Sequence, residues 1–171
     1  MINKNIRHRW KLLLNNIKIG YKYDVLIEKS VTIKYIESIT FGKKCTLQSG
    51  VYLYGSRIGE KVIFGDNVVI GMNSVILGDG GVCIEDGTHF GPNVVLTTQY
   101  GDRDKTTDYS NVVLKYLSIK IGKGVWIGSG SIIMPGTILG DYSSVAPNSV
   151  VYGKWGSNVD LIGNPARKRR F

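Results

Sequence analysis

Ile121 to Gly140 reads IGKGVWIGSGSIIMPGTILG. Cut into sixes, it opens each unit on an aliphatic residue and places Val, Ser or Thr fifth, as in IGKGVW, IGSGSI and IMPGTI. The rule runs on through LGDYSS and VAPNSV to Val150. Upstream it recurs as IGEKVI, FGDNVV and IGMNSV from Ile58 to Val75. After an eight-residue step it returns as IEDGTH, FGPNVV and LTTQYG, Ile84 to Gly101. Seven of these eleven units carry glycine second, which chance does not explain. Self-similarity at a fixed short period is the mark of a solenoid.

Each preference has a physical cause. Six residues make a short strand and a turn, and three such units close a triangular coil of 18 residues. First-position side chains then stack into one apolar column, coil on coil, about 4.8 Å apart. The fifth position faces inward near a corner, where only a small or β-branched side chain fits. Gly, Asn and Asp occupy the corners because they tolerate the backbone of tight turns. Position six, next to an inward residue, points outward.

Around this core the chain divides into three. Residues 1–18 place Ile6, Trp10, Leu13, Leu14 and Ile17 at helical spacing among Lys4, Arg7, Arg9, Lys11 and Lys18, with Gly20 as the expected stop. This amphipathic helix is expected to pack on the main domain, or to rest on anionic lipid. Residues 19–151 form the repeat, degraded in its first third (VLIEKS, VTIKYI, FGKKCT, LQSGVY) and broken by an excursion loop at about 101–120. Residues 152–171 are expected to leave the coil as an irregular basic tail.

Composition narrows the function classes. Of 171 residues 43% are hydrophobic and 20% charged, enough for a real core, and 22 glycines stand against four prolines. No apolar run approaches the roughly 20 residues that span a bilayer. Residues 1–18 mix charges and amides into their apolar positions, unlike a secretory signal. Cys45 and Cys83 fit neither a metal spacing nor a disulfide framework, so reduced thiols in a cytoplasmic protein are expected, and no metal. The net charge of +9 attracts anionic partners, but no nucleic-acid-binding motif is present.

The hexapeptides resemble those of the left-handed parallel β-helix acyltransferase superfamily. IGKGVWIGSGSIIMPGTILG and the ending GNPARK are most similar to its sugar and polysaccharide O-acetyltransferases, the maltose, galactoside and WbbJ-like branch. The resemblance implies an all-β, left-handed coil, a homotrimer with sites between subunits, acetyl-CoA as donor, and a hydroxyl of a sugar or surface-glycan precursor as acceptor. The reduced cysteines place the expected reaction in the cytoplasm, and the basic N-terminal helix is compatible with a peripheral contact to a lipid-linked glycan acceptor at the membrane. In such proteins the tryptophan of VWIG, here Trp126, lies beside acceptor and pantetheine. Backbone N–H groups near it, at Gly128 and Ser129, and the later coil residue Ala146 are the expected donor-binding positions. Lys154, Arg167 and Lys168 match residues near the CoA phosphates, where charge-assisted donors are needed.

The sequence departs from the family where it matters most for chemistry. Relatives carry a histidine about two dozen residues before the tryptophan, but here TTQYGDRDKTT offers Tyr100, Asp102 and Asp104 instead. A tyrosine, with a reference pKa near 10, is a poor base at neutral pH, and an aspartate accepts a proton only weakly unless burial raises its pKa. His89 is the remaining candidate. It stands sixth in IEDGTH as Trp126 stands sixth in IGKGVW, so the two become outward neighbours about 5 Å apart if the excursion rejoins in register. An imidazole, with reference pKa near 6.5, suits general-base work. Two readings follow: an acetyltransferase using His89 or a loop carboxylate, with N-acetylation of an amino sugar as the variant needing less base, or a non-catalytic protein that keeps the coil and CoA binding.

Overall fold

In the computed structural model, which describes residues 19–102 and 112–169, the first-position side chains meet on one axis. Phe64, Ile70, Ile84, Phe90, Leu96, Ile121, Ile127, Ile133, Leu139 and Val145 are all buried. The fifth positions are buried beside them, from Val68 and Ser74 through Thr88, Val94, Val125, Ser131 and Thr137 to Ser149. The hydroxyls there do more than fit. Ser74 donates to the Gly91 carbonyl (3.2 Å), Thr88 to Gly122 (2.7 Å) and Ser131 to Ala146 (3.0 Å), each reaching a carbonyl of the next coil. A buried hydroxyl left unpaired would cost stability; here each ties two coils together.

Three parallel sheets form the sides of this prism. The first face stacks Val25–Ile27, Cys45–Leu47, Val69–Ile70, His89–Phe90, Trp126–Ile127, Ser144–Val145 and Asp160–Gly163. The second stacks Thr32–Lys34, Tyr52–Tyr54, Val75–Leu77, Val95–Thr97, Ile132–Ile133 and Val150–Val151. The third stacks Ile39–Phe41, Val62–Phe64, Val82–Ile84, Ile119–Ile121, Ile138–Leu139 and Lys154–Trp155. At the corner between third and first faces, carboxylates accept backbone N–H groups of the neighbouring coil: Lys43 to Asp66 (2.7 Å), Asp66 to Asp86 (2.9 Å) and Lys123 to Asp141 (3.0 Å). The Asp66 N–H holds the Asp86 carboxyl below the usual carboxylate range.

The 18-residue coil holds only late in the chain, where Trp126 pairs with Ser144 and Ile132 with Val150. Earlier coils are longer: Val25 pairs with Cys45 and Val69 with His89, steps of 20 residues. All the extra length enters at one corner, between the second and third faces. There the inward positions run from Leu53 to Phe64, from Ile76 to Ile84 and from Leu96 to Ile121, against Ile133 to Leu139 in a regular coil. Only the end of IGEKVI, Val62–Ile63, lies on a side of the coil, and its first residue, Ile58, is exposed in this corner. The corner carries its own support. Arg57 grips the buried Asp79 carboxylate (Nη2 to Oδ2, 2.7 Å), which keeps the guanidinium charged, and the Gly80 N–H donates to Thr98 Oγ1 (2.9 Å).

The largest excursion leaves this corner as an antiparallel arm, Gln99–Asp102 against Val113–Tyr116. It closes where the Leu117 N–H donates to the Thr98 carbonyl (2.8 Å). Ile119–Ile121 then joins the third face beside Val82–Ile84.

Two boundaries differ from expectation. Residues 19–23 are helical, so Gly20 does not stop the helix; a glycine is needed there because a Cβ would lie 2.9 Å from the Val25 carbonyl oxygen. The expected helix over residues 1–18 lies outside the described residues. Nor is the tail irregular after Tyr152. Lys154–Trp155 continues the third face, and Asp160–Gly163 continues the first before Ala166–Lys168 folds back on it antiparallel. Trp155 hid this turn by standing where an aliphatic residue was sought; its indole N–H donates to the Tyr152 carbonyl (3.0 Å). Among the described residues no helix is long and apolar enough to cross a membrane.

The tight stacking of corners is testable. A Cβ at Gly71 would lie 2.4 Å from the Gly91 carbonyl carbon, so the backbone itself must shift. Gly71→Ala is expected to lower stability by roughly 1–3 kcal/mol in urea unfolding; an unchanged midpoint would contradict the close approach of these coils.

Candidate active site

His89 and Trp126 are direct partners in the parallel register of the first face, although 37 residues separate them. The bracketing strands enforce this. The His89 N–H donates to the Val125 carbonyl (2.9 Å), and Phe90 is paired with Ile127 below it. Because alternate residues point to opposite sides, burying Phe90 and Ile127 turns His89 and Trp126 outward. Their rings stack with centroids 4.5 Å apart and planes within 4° of parallel. Trp126 remains 55% exposed, and His89 is half-buried beneath it. A large aromatic left this open on a rigid sheet, with an imidazole against its face, offers an apolar platform and a proton acceptor at one place.

The residues after Trp126 sort themselves by their backbone bonds. The Gly128 N–H donates to Val145 and the Ala146 N–H to Leu161, both at 2.8 Å, so neither is a spare donor. Among the described residues no backbone carbonyl takes the Ser129 N–H. Ser129 is packed so tightly on the preceding coil that a Cβ at Gly91 would lie 2.8 Å from its N and its Oγ alike. Of the three expected positions, only Ser129 therefore presents a fixed, uncommitted N–H.

The remaining candidates are dispersed. Tyr100 and Asp102 lie on the arm, at the corner between second and third faces, while His89 and Trp126 occupy the first face. Asp102 is ion-paired with Lys115 across the arm, and that bond raises the lysine's pKa. Asp104 lies outside the described residues. Lys154 is exposed on the third face, paired in register with Ile138. Arg167 and Lys168 stand on the strand that ends the first face, opposite Ile162 and Leu161, with Arg169 following. That strand makes the C-terminal end of the His89–Trp126 face strongly basic. Sequence reasoning missed two residues in the same outward row, Ser144 and Asp160, which the register places next after Trp126. Ser144 is the sixth residue of LGDYSS and could have been placed there; Asp160 could not, because the repeat is unrecognisable after Tyr152. Among the described residues no cluster of three or more His, Cys, Asp or Glu could hold a metal ion.

Comparison with known proteins fits this architecture. Residues 61–98 match the family signature described as the hexapeptide repeat of succinyl-transferase, and residues 118–153 match that of the bacterial transferase hexapeptide. The galactoside O-acetyltransferase of Escherichia coli K12 is 33% identical over 162 residues, covering 94% of this chain and 76% of that protein. The chain belongs to the hexapeptide-repeat acyltransferase superfamily. The galactoside O-acetyltransferase of Lactococcus lactis is 28% identical over 130 residues, 75% of this chain. The chain spans 61% of that protein's length, and 55% of a Saccharomyces cerevisiae relative that is 36% identical over 64% of this chain. Among solved structures, AntD, an N-acyltransferase from Bacillus cereus in complex with dTDP and 3-hydroxybutyryl-CoA, superposes with a TM-score of 0.76. It covers 92% of this chain and 87% of its own at 22% identity, a likeness of fold.

The register makes adjacent residues differ in what they do. Phe90→Ala, which empties a fully buried site, is expected to cost about 3–5 kcal/mol. His89→Ala, one residue earlier and facing outward, should stay within about 0.5 kcal/mol. Thermal or urea unfolding of the two variants decides it; comparable losses would mean that His89 is part of the packing.

Proposed function

We propose that the protein is an acetyl-CoA-dependent acetyltransferase acting on a hydroxyl of a sugar or surface-polysaccharide precursor. The observation that carries this reading is the His89–Trp126 stack on the first face, with the Ser129 N–H in the turn that follows Trp126–Ile127 and a basic strand at the end of that face. Family membership and the galactoside O-acetyltransferase relatives support it.

The chemistry needs a base, an oxyanion donor and positioning. As the acceptor oxygen bonds to the thioester carbonyl carbon, its proton passes to His89. The carbonyl oxygen gains the displaced electron pair and is met by the Ser129 N–H. Collapse reforms the carbonyl, breaks the carbon–sulfur bond and releases CoA thiolate, which takes the proton back from His89. Trp126 holds acceptor and pantetheine against this centre. Arg167 and Lys168 meet the phosphates, with Lys154 contributing from the third face of the coil.

In this reading the working unit is a homotrimer. Within one chain Tyr100, Asp102 and the arm stand on the far corner from Trp126, so an arm that serves a site serves that of a neighbouring copy. The outward row of the second face, Tyr52, Val75, Val95, Ile132 and Val150, offers an apolar surface for such packing. The cytoplasm, where acetyl-CoA is made, is the compartment the reaction requires. The absence of the family's loop histidine favours an amino-sugar acceptor as the second reading, since a free amine is already nucleophilic.

The test is acetyl transfer to a panel of sugars, amino sugars and nucleotide sugars. His89→Ala is expected to lower kcat by about 10²- to 10⁴-fold with a hydroxyl acceptor, and less with an amine. Unchanged turnover would remove His89 from the mechanism. No turnover by the wild type, with no thermal stabilisation by CoA, would overturn the enzyme reading.

A further inference from the structure

The outward row of the first face continues beyond the aromatic pair. In order along the axis it carries His89, Trp126, Ser144 and Asp160. The Asp160 carbonyl then accepts the Arg169 N–H (2.7 Å), so the basic strand lies on the next rung. Ser144 and Asp160 therefore occupy the span between the aromatic platform and the cations, and Asp160 stands about 10 Å from Trp126 at two strand spacings.

Two features set this pair apart from ordinary coil surface. Upstream, the same row carries Leu26, Thr46 and Val69, with no charge. Here the Ser144 hydroxyl donates to Asp160 Oδ1, which fixes the carboxylate and leaves its remaining lone pairs as acceptors. Asp160 is also a carboxylate on the rung next to Arg169, whose N–H its carbonyl accepts, with Arg167, two residues before Arg169, on the same side of the strand. At a site that attracts phosphate, a nearby negative charge weakens binding unless it contacts the ligand directly.

We propose that Asp160 binds the pantetheine arm of the donor, accepting an amide N–H, with Ser144 as the residue that positions its carboxylate. The proposal rests on the acetyl-CoA reading above. A donor whose thioester lies at Trp126 and whose phosphates lie on the strand Ala166–Lys168 must run its arm across Ser144 and Asp160. That arm carries two amides, and their N–H groups match an acceptor-only surface. A charge-assisted hydrogen bond of this kind contributes affinity on the order of tenfold.

The test is calorimetric titration of wild type, Asp160→Ala and Ser144→Ala with two probes: CoA, and adenosine 3′-phosphate 5′-diphosphate, which has the phosphates without the arm. Asp160→Ala is expected to weaken CoA about tenfold and to leave the armless nucleotide unchanged or bound more tightly. Ser144→Ala should weaken CoA in the same direction by a smaller factor. CoA binding that is unchanged or tighter in Asp160→Ala overturns the proposal, because a carboxylate acting only through its charge gives that sign. Equal weakening of both probes overturns it too, placing Asp160 in the phosphate site. Failure of the wild type to bind CoA overturns this proposal and the donor reading together, whereas wild-type binding with an indifferent variant overturns this one alone.

Discussion

The closure of the arm, where the Leu117 N–H donates to the Thr98 carbonyl (2.8 Å) and Ile119–Ile121 pairs with Val82–Ile84, sets where everything after the arm is placed. The chain departs from the coil after Thr98 and must return in phase. In a strand, a slip of one residue exchanges the inward and outward sets. Such a slip would bury Trp126 and turn Ile127 to solvent. The return is locked from the other side as well: a Cβ on Gly80 would lie 3.1 Å from the Leu117 N, from Thr98 Cβ and from Tyr116 Cβ. Asp79, the neighbour of that glycine, is held by Arg57 from the preceding coil. The corner that absorbs insertions is thus also the corner that keeps register.

With register fixed, the first face becomes a linear arrangement of chemistry. Inward residues such as Phe90, Ile127 and Val145 supply stability and nothing else. Outward residues one position away are free of that duty, and on this face they are aromatic, then polar, then basic. The solenoid makes this separation possible because each rung advances the row by one strand spacing. A donor molecule with a reactive end and a charged end can be read along such a row in one direction.

Much of this was legible in the sequence because a hexapeptide encodes geometry locally. Position one had to be apolar, position five small and position six outward, and these rules, with an excursion that rejoins in register, placed His89 against Trp126. The length of the coil was not legible. Two- to five-residue additions at one corner leave the flanking hexapeptides intact, so neither the 20-residue coils nor the exposure of Ile58 could be read from composition. The last turn was hidden for a different reason. Trp155 and the sequence SNVDLIG keep the inward pattern through Val159 and Leu161 but lose the glycine and aliphatic punctuation. Bond accounting likewise lay beyond the sequence: Gly128 and Ala146 looked equivalent to Ser129 until their N–H groups were found committed to the next coil.

In the proposed mechanism the returning coil builds the reaction centre on the His89–Trp126 pair. The most direct test of that mechanism is a crystal structure with coenzyme A bound. The expected result is the CoA sulfur against the Trp126 indole, with His89 within hydrogen-bonding reach of the acceptor position. Coenzyme A seated elsewhere on the coil, with Trp126 untouched, would contradict it.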